Sequence, residues 1–127
     1  MAGELNFTGI APQFVVPDVV RAAEFYRDKL GFEILGYFHD PPVFAMVKRG
    51  MAEIHLGKAD GDQVKLNESV RKGLGTDAYI FVSDINALHR EFLDRGVEIV
   101  EGPIRRIYDC VEMTIRDSNG FQLVFGE

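Results

Sequence analysis

The pattern of apolar and polar positions switches between two periods along the chain. Ala22, Phe25, Tyr26 and Leu30 recur at i, i+3, i+4 and i+8, which is one face of a helix. Asp18 stands before that face as an N-cap and Gly31 after it as a terminating glycine. A second face, Ile85, Leu88, Phe92 and Leu93 with Ala87 beside them, lies between Asp84 and Gly96. Around these helices the alternation has period 2 and predicts strands over 10–16, 32–39, 43–48 and 51–56, then over 78–82, 97–100, 108–115 and 121–125. Asp40-Pro41-Pro42, Arg49-Gly50, Glu101-Gly102-Pro103 and the DSNG run at 117–120 supply the breaks. Pro12 lacks a ladder donor, so the first strand is expected at an edge or a bulge.

The stretches 16–35 and 82–100 are two copies of one unit. Asp18 corresponds to Asp84, Phe25 to Phe92, Gly31 to Gly96, Glu33 to Glu98 and Ile34 to Ile99. A repeat of this kind fixes the architecture before any single element does. The prediction is one α+β domain over 1–127, with a lead-in at 1–7. A first βαβββ unit spans 9–57, a polar linker 58–75 and a second βαβββ unit 76–127. Each helix covers one face of its own sheet. The uncovered faces, set side by side, make a half-open eight-stranded barrel with a concave interior.

Strand parity then names what lines the hollow. Ile54 and Leu56 face the helix, so Glu53 and His55 face inward. Ala78, Ile80 and Val82 pack, leaving Asp77, Tyr79 and Phe81 inside. Phe121, Leu123 and Phe125 pack, leaving Gln122 and Val124; Phe14 and Val16 pack, leaving Ala11, Gln13 and Val15. Phe38, Phe44 and Tyr108 join Tyr79 and Phe81 as candidates for stacking on a ligand. The hollow thus combines carboxylates, an amide, an imidazole and rings, which is a binding surface and not a dry core.

Composition narrows the function. A net charge of -6 argues against nucleic acid and favours cationic small molecules. The single cysteine, Cys110, fits a reducing cytoplasm and reads as a packing residue. No signal peptide and no membrane-spanning apolar run is evident. No phosphate loop, Ser-His-Asp signature or zinc-type His/Cys spacing occurs.

The capped helix PDVVRAAEFYRDKLGF at 17–32, paired with RDSNGFQLVF at 116–125, resembles the glyoxalase/bleomycin resistance protein/extradiol dioxygenase superfamily, also called the vicinal-oxygen-chelate group. The resemblance runs from about residue 9 to the end. The enzymes of that group hold a divalent metal with one His or Glu from each of four strands. Carried over position by position, the resemblance puts those ligands at Ala11, Glu53, Asp77 and Val124, two of which cannot bind a metal. The hairpin DPPVFAMVKRGMAEIHL and the strand pair VEMTIRDSNGFQLVF are similar to the metal-free bleomycin-resistance proteins. This branch implies a cytoplasmic homodimer that sequesters a small, cationic ligand, such as a bleomycin-type glycopeptide, with no cofactor. The expected ligand-binding residues are Gln13, Phe38, Phe44, Glu53, His55, Asp77, Tyr79, Phe81 and Tyr108. The alternative is a divalent-metal-dependent lyase, isomerase or dioxygenase using Glu53, Asp77 and His55. A scaffold whose hollow is filled by a partner is a third reading. The absence of tryptophan departs from drug-binding members that stack on one.

Overall fold

The structure is a computed structural model that describes residues 3, 5–73 and 75–127. Residues 1, 2 and 4 of the expected lead-in and residue 74 of the expected linker lie outside the described residues. The first unit runs β1 (Gln13–Val16), α1 (Val19–Leu30), β2 (Glu33–Phe38), β3 (Phe44–Arg49) and β4 (Ala52–Lys58). A 3-10 turn at Asn67–Ser69 interrupts the linker. The second unit runs β5 (Ala78–Phe81), α2 (Ile85–Asp94), β6 (Ile99–Arg105), β7 (Val111–Arg116) and β8 (Gln122–Gly126). The sheets have matching orders, β1-β4-β3-β2 and β5-β8-β7-β6, with the first strand of each parallel to the last. The duplicated βαβββ reading is therefore the observed fold, as two four-stranded sheets.

Both caps form as the sequence implies. Asp18 Oδ1 accepts from the amides of Val20 and Arg21 at 3.1 and 3.0 Å, and Asp84 Oδ1 from Ala87 at 3.0 Å. Each satisfies amide donors that a first helical turn leaves without partners. Gly31 ends α1 at φ 74°, a left-handed conformation that a side chain would strain.

Three boundaries and the facing of one side chain differ from expectation. Strand β1 starts at Gln13, and Ile10 is exposed, because Pro12 offers no N–H to extend the ladder. Strand β6 does not stop at Glu101. It continues through Gly102-Pro103 to Arg105, with register shifts at Ile99/Glu101 and Glu101/Ile104 that absorb the missing donor. Tyr108 lies outside any strand, in the β6–β7 hairpin turn closed by the Arg106 amide to the Cys110 carbonyl at 2.8 Å. Leu93 points to solvent, one step off the buried stripe of Ile85, Leu88 and Phe92.

The two units share one core on the helix side. Phe14 stacks on Phe121 with ring centroids 4.3 Å apart. Tyr26, fully buried on α1, donates to Asp117 Oδ2 at 2.6 Å, in the turn before β8. Arg49 grips Glu91 of α2 with two bonds of 2.7 and 2.8 Å and donates to the Leu30 carbonyl at 2.8 Å. Lys29 and Arg95 exchange bonds to backbone carbonyls between the two helix ends, 3.0 Å each. These ties all lie on the helix-covered side and leave the other face of each sheet uncovered.

Candidate functional site: two open sheet faces

Register puts Phe38, Phe44, Met46, His55, Glu53, Gln13 and Val15 together on the uncovered face of the first sheet. His55 Nε2 and Glu53 Oε2 are 2.6 Å apart, and the His55 ring stands edge-on to Phe44 at 5.3 Å. Phe38 continues the ring cluster, 5.8 Å from Phe44. Gln13 folds its side chain over Gly57, where an added Cβ would approach the amide oxygen to 3.0 Å. This face therefore offers an imidazole–carboxylate pair walled by two rings.

The uncovered face of the second sheet is built by the register Phe81↔Gly126↔Glu112 and Tyr79↔Val124↔Thr114. Tyr79 and Tyr108 each donate to Glu112 Oε2 at 2.7 Å, and Arg106 Nε reaches Oε1 at 3.1 Å. Arg106 also pairs with Glu101. Glu112 itself is only 4 % exposed. Burial alone would raise its pKa, but the bonds from Tyr79, Tyr108 and Arg106 together hold the carboxyl below its ordinary range. Both phenols are raised in turn: Tyr79 chiefly by loss of solvent, Tyr108 chiefly by its bond to Glu112. The cluster keeps Glu112 ionised and both phenols protonated at neutral pH.

Glu112, Arg106 and Glu101 were missed in the sequence. The signal was present for Glu112: alternation over 111–116 sets Glu112 and Thr114 opposite Met113 and Ile115, which are fully buried. Asp77, expected in the hollow, is held by backbone on both oxygens. Its Oδ1 accepts from the Asn67 amide at 3.0 Å and its Oδ2 from the Gln122 amide at 2.8 Å. Both oxygens staple the linker and β8 to the start of β5. Beside it, Arg116 holds Glu68 of the linker with bonds of 2.7 and 3.0 Å, closing one end of the second face.

The two faces do not form one strand-paired wall within the chain. A groove of about 700 Å³ does open between the units. Its walls are mainly helix-side apolar residues such as Ile54, Ile80, Phe92 and Phe125, with the Arg49–Glu91 pair, Glu53 and Tyr79 at its margins. Arg49 and Glu91 bond each other there, Asp84 caps α2, and Phe81 also borders the groove.

A family model described as Glyoxalase/Bleomycin resistance protein/Dioxygenase superfamily matches residues 8–125. The chain belongs to this superfamily. No curated protein matches the chain in sequence. Among solved structures it is similar to TioX from Micromonospora sp. ML1, at 16 % identity and TM-score 0.75, over 95 % of this chain and 98 % of that one. It is also similar to lactoylglutathione lyase from Agrobacterium tumefaciens, at 19 % identity and TM-score 0.69, over 94 % and 93 %. A superfamily member from Sphaerobacter thermophilus matches at 19 % identity and TM-score 0.69, over 96 % and 98 %. At such identities the likeness establishes the fold. Among the described residues no helix is long and apolar enough to cross a membrane.

Members of the superfamily can bind divalent metals, and the donor set here does not fit one. The four positions that the resemblance assigns to metal ligands carry Ala11, Glu53, Asp77 and Val124. Val124 is buried and apolar, and both Asp77 oxygens are engaged by backbone amides. Glu53 and His55 remain, two donors from one strand that are bonded to each other, where several independent oxygen or nitrogen donors are required. Among the described residues no three His, Cys, Asp or Glu side chains converge.

Proposed function

We propose that the protein is a bleomycin-resistance-type binding protein that sequesters a small molecule without metal chemistry. The observation that carries the reading is the pair of open faces. Phe38, Phe81 and Tyr108 are 52, 84 and 60 % exposed, beside fixed carboxylates, on the side of each sheet away from its helix. Single exposed apolar residues are ordinary, but rings grouped around anchored polar groups are the composition of a ligand site. The expected site residues Gln13, Phe38, Phe44, Glu53 and His55 contribute from the first sheet, and Tyr79, Phe81 and Tyr108 from the second; Asp77 serves the scaffold.

The functional unit in this reading is a homodimer. Within one chain the units join through their helix sides, so each open face lacks an opposite wall. A two-fold pairing supplies it by setting the first sheet of one chain against the second sheet of its partner. Each cleft then takes Glu53 and His55 from one protomer and Tyr79 from the other. The net charge of -6 favours a cationic ligand, and the lone Cys110 suits a cytoplasmic protein.

A panel containing a bleomycin-type glycopeptide and related cationic aromatic natural products tests this reading by thermal shift, with the ligand recovered chemically unchanged. Stabilisation of several degrees is expected, and gel filtration is expected to give a dimer. No shift across the panel overturns the sequestration reading. The rival reading, a divalent-metal lyase, isomerase or dioxygenase, draws on the Glu53–His55 contact. It predicts near-stoichiometric metal in the purified protein, lost in Glu53→Ala.

A further inference from the structure

Two phenols from separate elements converge on one buried carboxylate oxygen. Tyr79 comes from β5 and Tyr108 from the β6–β7 turn, and both donate to Glu112 Oε2 at 2.7 Å. The phenol end of Tyr79 lies over Gly126. A Cβ at that position would come within 2.6 Å of Tyr79 Cζ, so the ring packs closely on backbone there. Tyr79 remains 38 % exposed. Phe81 stands beside it, with centroids 5.0 Å apart and planes tilted by 53°.

We propose that Tyr79, Phe81 and Tyr108 form an aromatic seat for a quaternary ammonium group, with Glu112 as the buried counter-charge beneath it. The inference deepens the binding reading above and rests on it for the wider ligand. Cations are drawn to ring faces, and a trimethylammonium group is the form most easily desolvated for such a seat. A phenol that donates its proton toward a carboxylate gains electron density, which strengthens the attraction. The charge beneath is not cancelled. Arg106 is shared between Glu112 and Glu101, so two carboxylates face one guanidinium. The two phenol rings are also held in advance by their hydrogen bonds, which lowers the ordering cost of binding.

The same bonds set the specificity. Three donors already engage the Glu112 oxygens, so a primary ammonium finds its N–H groups poorly met there. A permethylated ammonium needs no acceptor. The seat therefore ranks choline above ethanolamine, and above the uncharged carbon isostere 3,3-dimethylbutanol.

The test is an NMR titration of the tyrosine ring signals with these three probes, on the full chain and on Tyr79→Leu and Phe81→Leu. Choline is expected to bind about tenfold more tightly than either competitor, and each variant to weaken choline by about three- to tenfold. Phe81 is 84 % exposed, so its variant keeps the fold even if Tyr79→Leu disturbs the Glu112 cluster. Equal affinity for choline and 3,3-dimethylbutanol overturns the seat, as does choline binding unchanged in Phe81→Leu or the absence of saturable choline binding. If the glycopeptide panel shifts the melting temperature while choline shows none of this ranking, the seat falls and sequestration stands. If choline ranks as stated and the panel gives nothing, sequestration falls and the seat stands.

Discussion

Replacing Tyr26 by phenylalanine removes one oxygen from the middle of the molecule. That oxygen is fully buried and donates to Asp117 Oδ2 at 2.6 Å, joining α1 of the first unit to the turn before β8 of the second. Asp117 is 6 % exposed, and its other oxygen accepts from the amides of Asn119 and Phe121 at 2.9 Å each. Burial raises the Asp117 pKa, and the Tyr26 bond opposes that rise. A hydrogen bond to a charged, buried partner contributes about 1.5–3 kcal/mol, so the variant should lose roughly 2 kcal/mol at neutral pH. For a chain of this size that is about 6–10 °C in melting temperature.

The pH dependence separates this cause from simple loss of packing. Because the folded pKa of Asp117 is raised, its contribution to stability is complete below the unfolded carboxyl range and is lost as pH rises through the folded value. Deleting the hydroxyl raises the folded pKa further, so the penalty should be smaller below about pH 4 and reach its full size towards neutrality. Urea unfolding of both proteins, followed by circular dichroism across that range, measures it. A penalty under about 0.5 kcal/mol, or one equal at acid and neutral pH, refutes the account of Asp117 as an ionised, Tyr26-dependent group.

Other substitutions probe other parts of the same frame. Gly102→Ala drives a Cβ into the Glu112 carbonyl oxygen and to 3.0 Å from Met113 Cα, at φ 91°; it should cost more than about 2 kcal/mol and is read as a lowered urea midpoint. Arg49→Ala breaks the clamp on Glu91 between the units. Its side chain is 39 % exposed, so a loss of about 1 kcal/mol, diminished in high salt, is expected, and a loss above 3 kcal/mol would show that the pair is not solvent-screened. Asp18→Ala uncaps α1 and should cost about 1 kcal/mol in thermal unfolding, with little effect on ligand affinity because the cap lies on the helix side.

Much of the fold was legible because the decisive signals are local. An aspartate, a helical stripe and a glycine repeat together, and each requires only its own backbone to act. Strand parity reached further and placed Glu53 and His55 opposite the buried Ile54 and Leu56, and Tyr79 opposite Ile80. What stayed hidden depended on contacts distant in sequence. Asp77 has the parity of a site residue, yet the Asn67 amide, ten positions earlier in the linker, accounts for one of its oxygens. Strand β6 crosses a glycine and a proline that normally end a strand, because bulges against β7 accommodate them. Tyr108 reaches the site from a turn, which no alternation rule describes. Glu112 was overlooked although its strand alternates cleanly, because its meaning comes from the two tyrosines that find it.

Both oxygens of Asp77 hold backbone, one in the linker at Asn67 and the other in β8 at Gln122. Where metal-binding members of the superfamily offer a ligand, this protein has spent the side chain on fastening its linker. Donors introduced at positions 11 and 124 would therefore find Asp77 already shared with two backbone amides. The third donor would have to be freed, and freeing it would release Asn67 and Gln122 from the carboxylate that holds them. Drawing that carboxylate to another partner would therefore cost stability where the linker and β8 meet the start of β5.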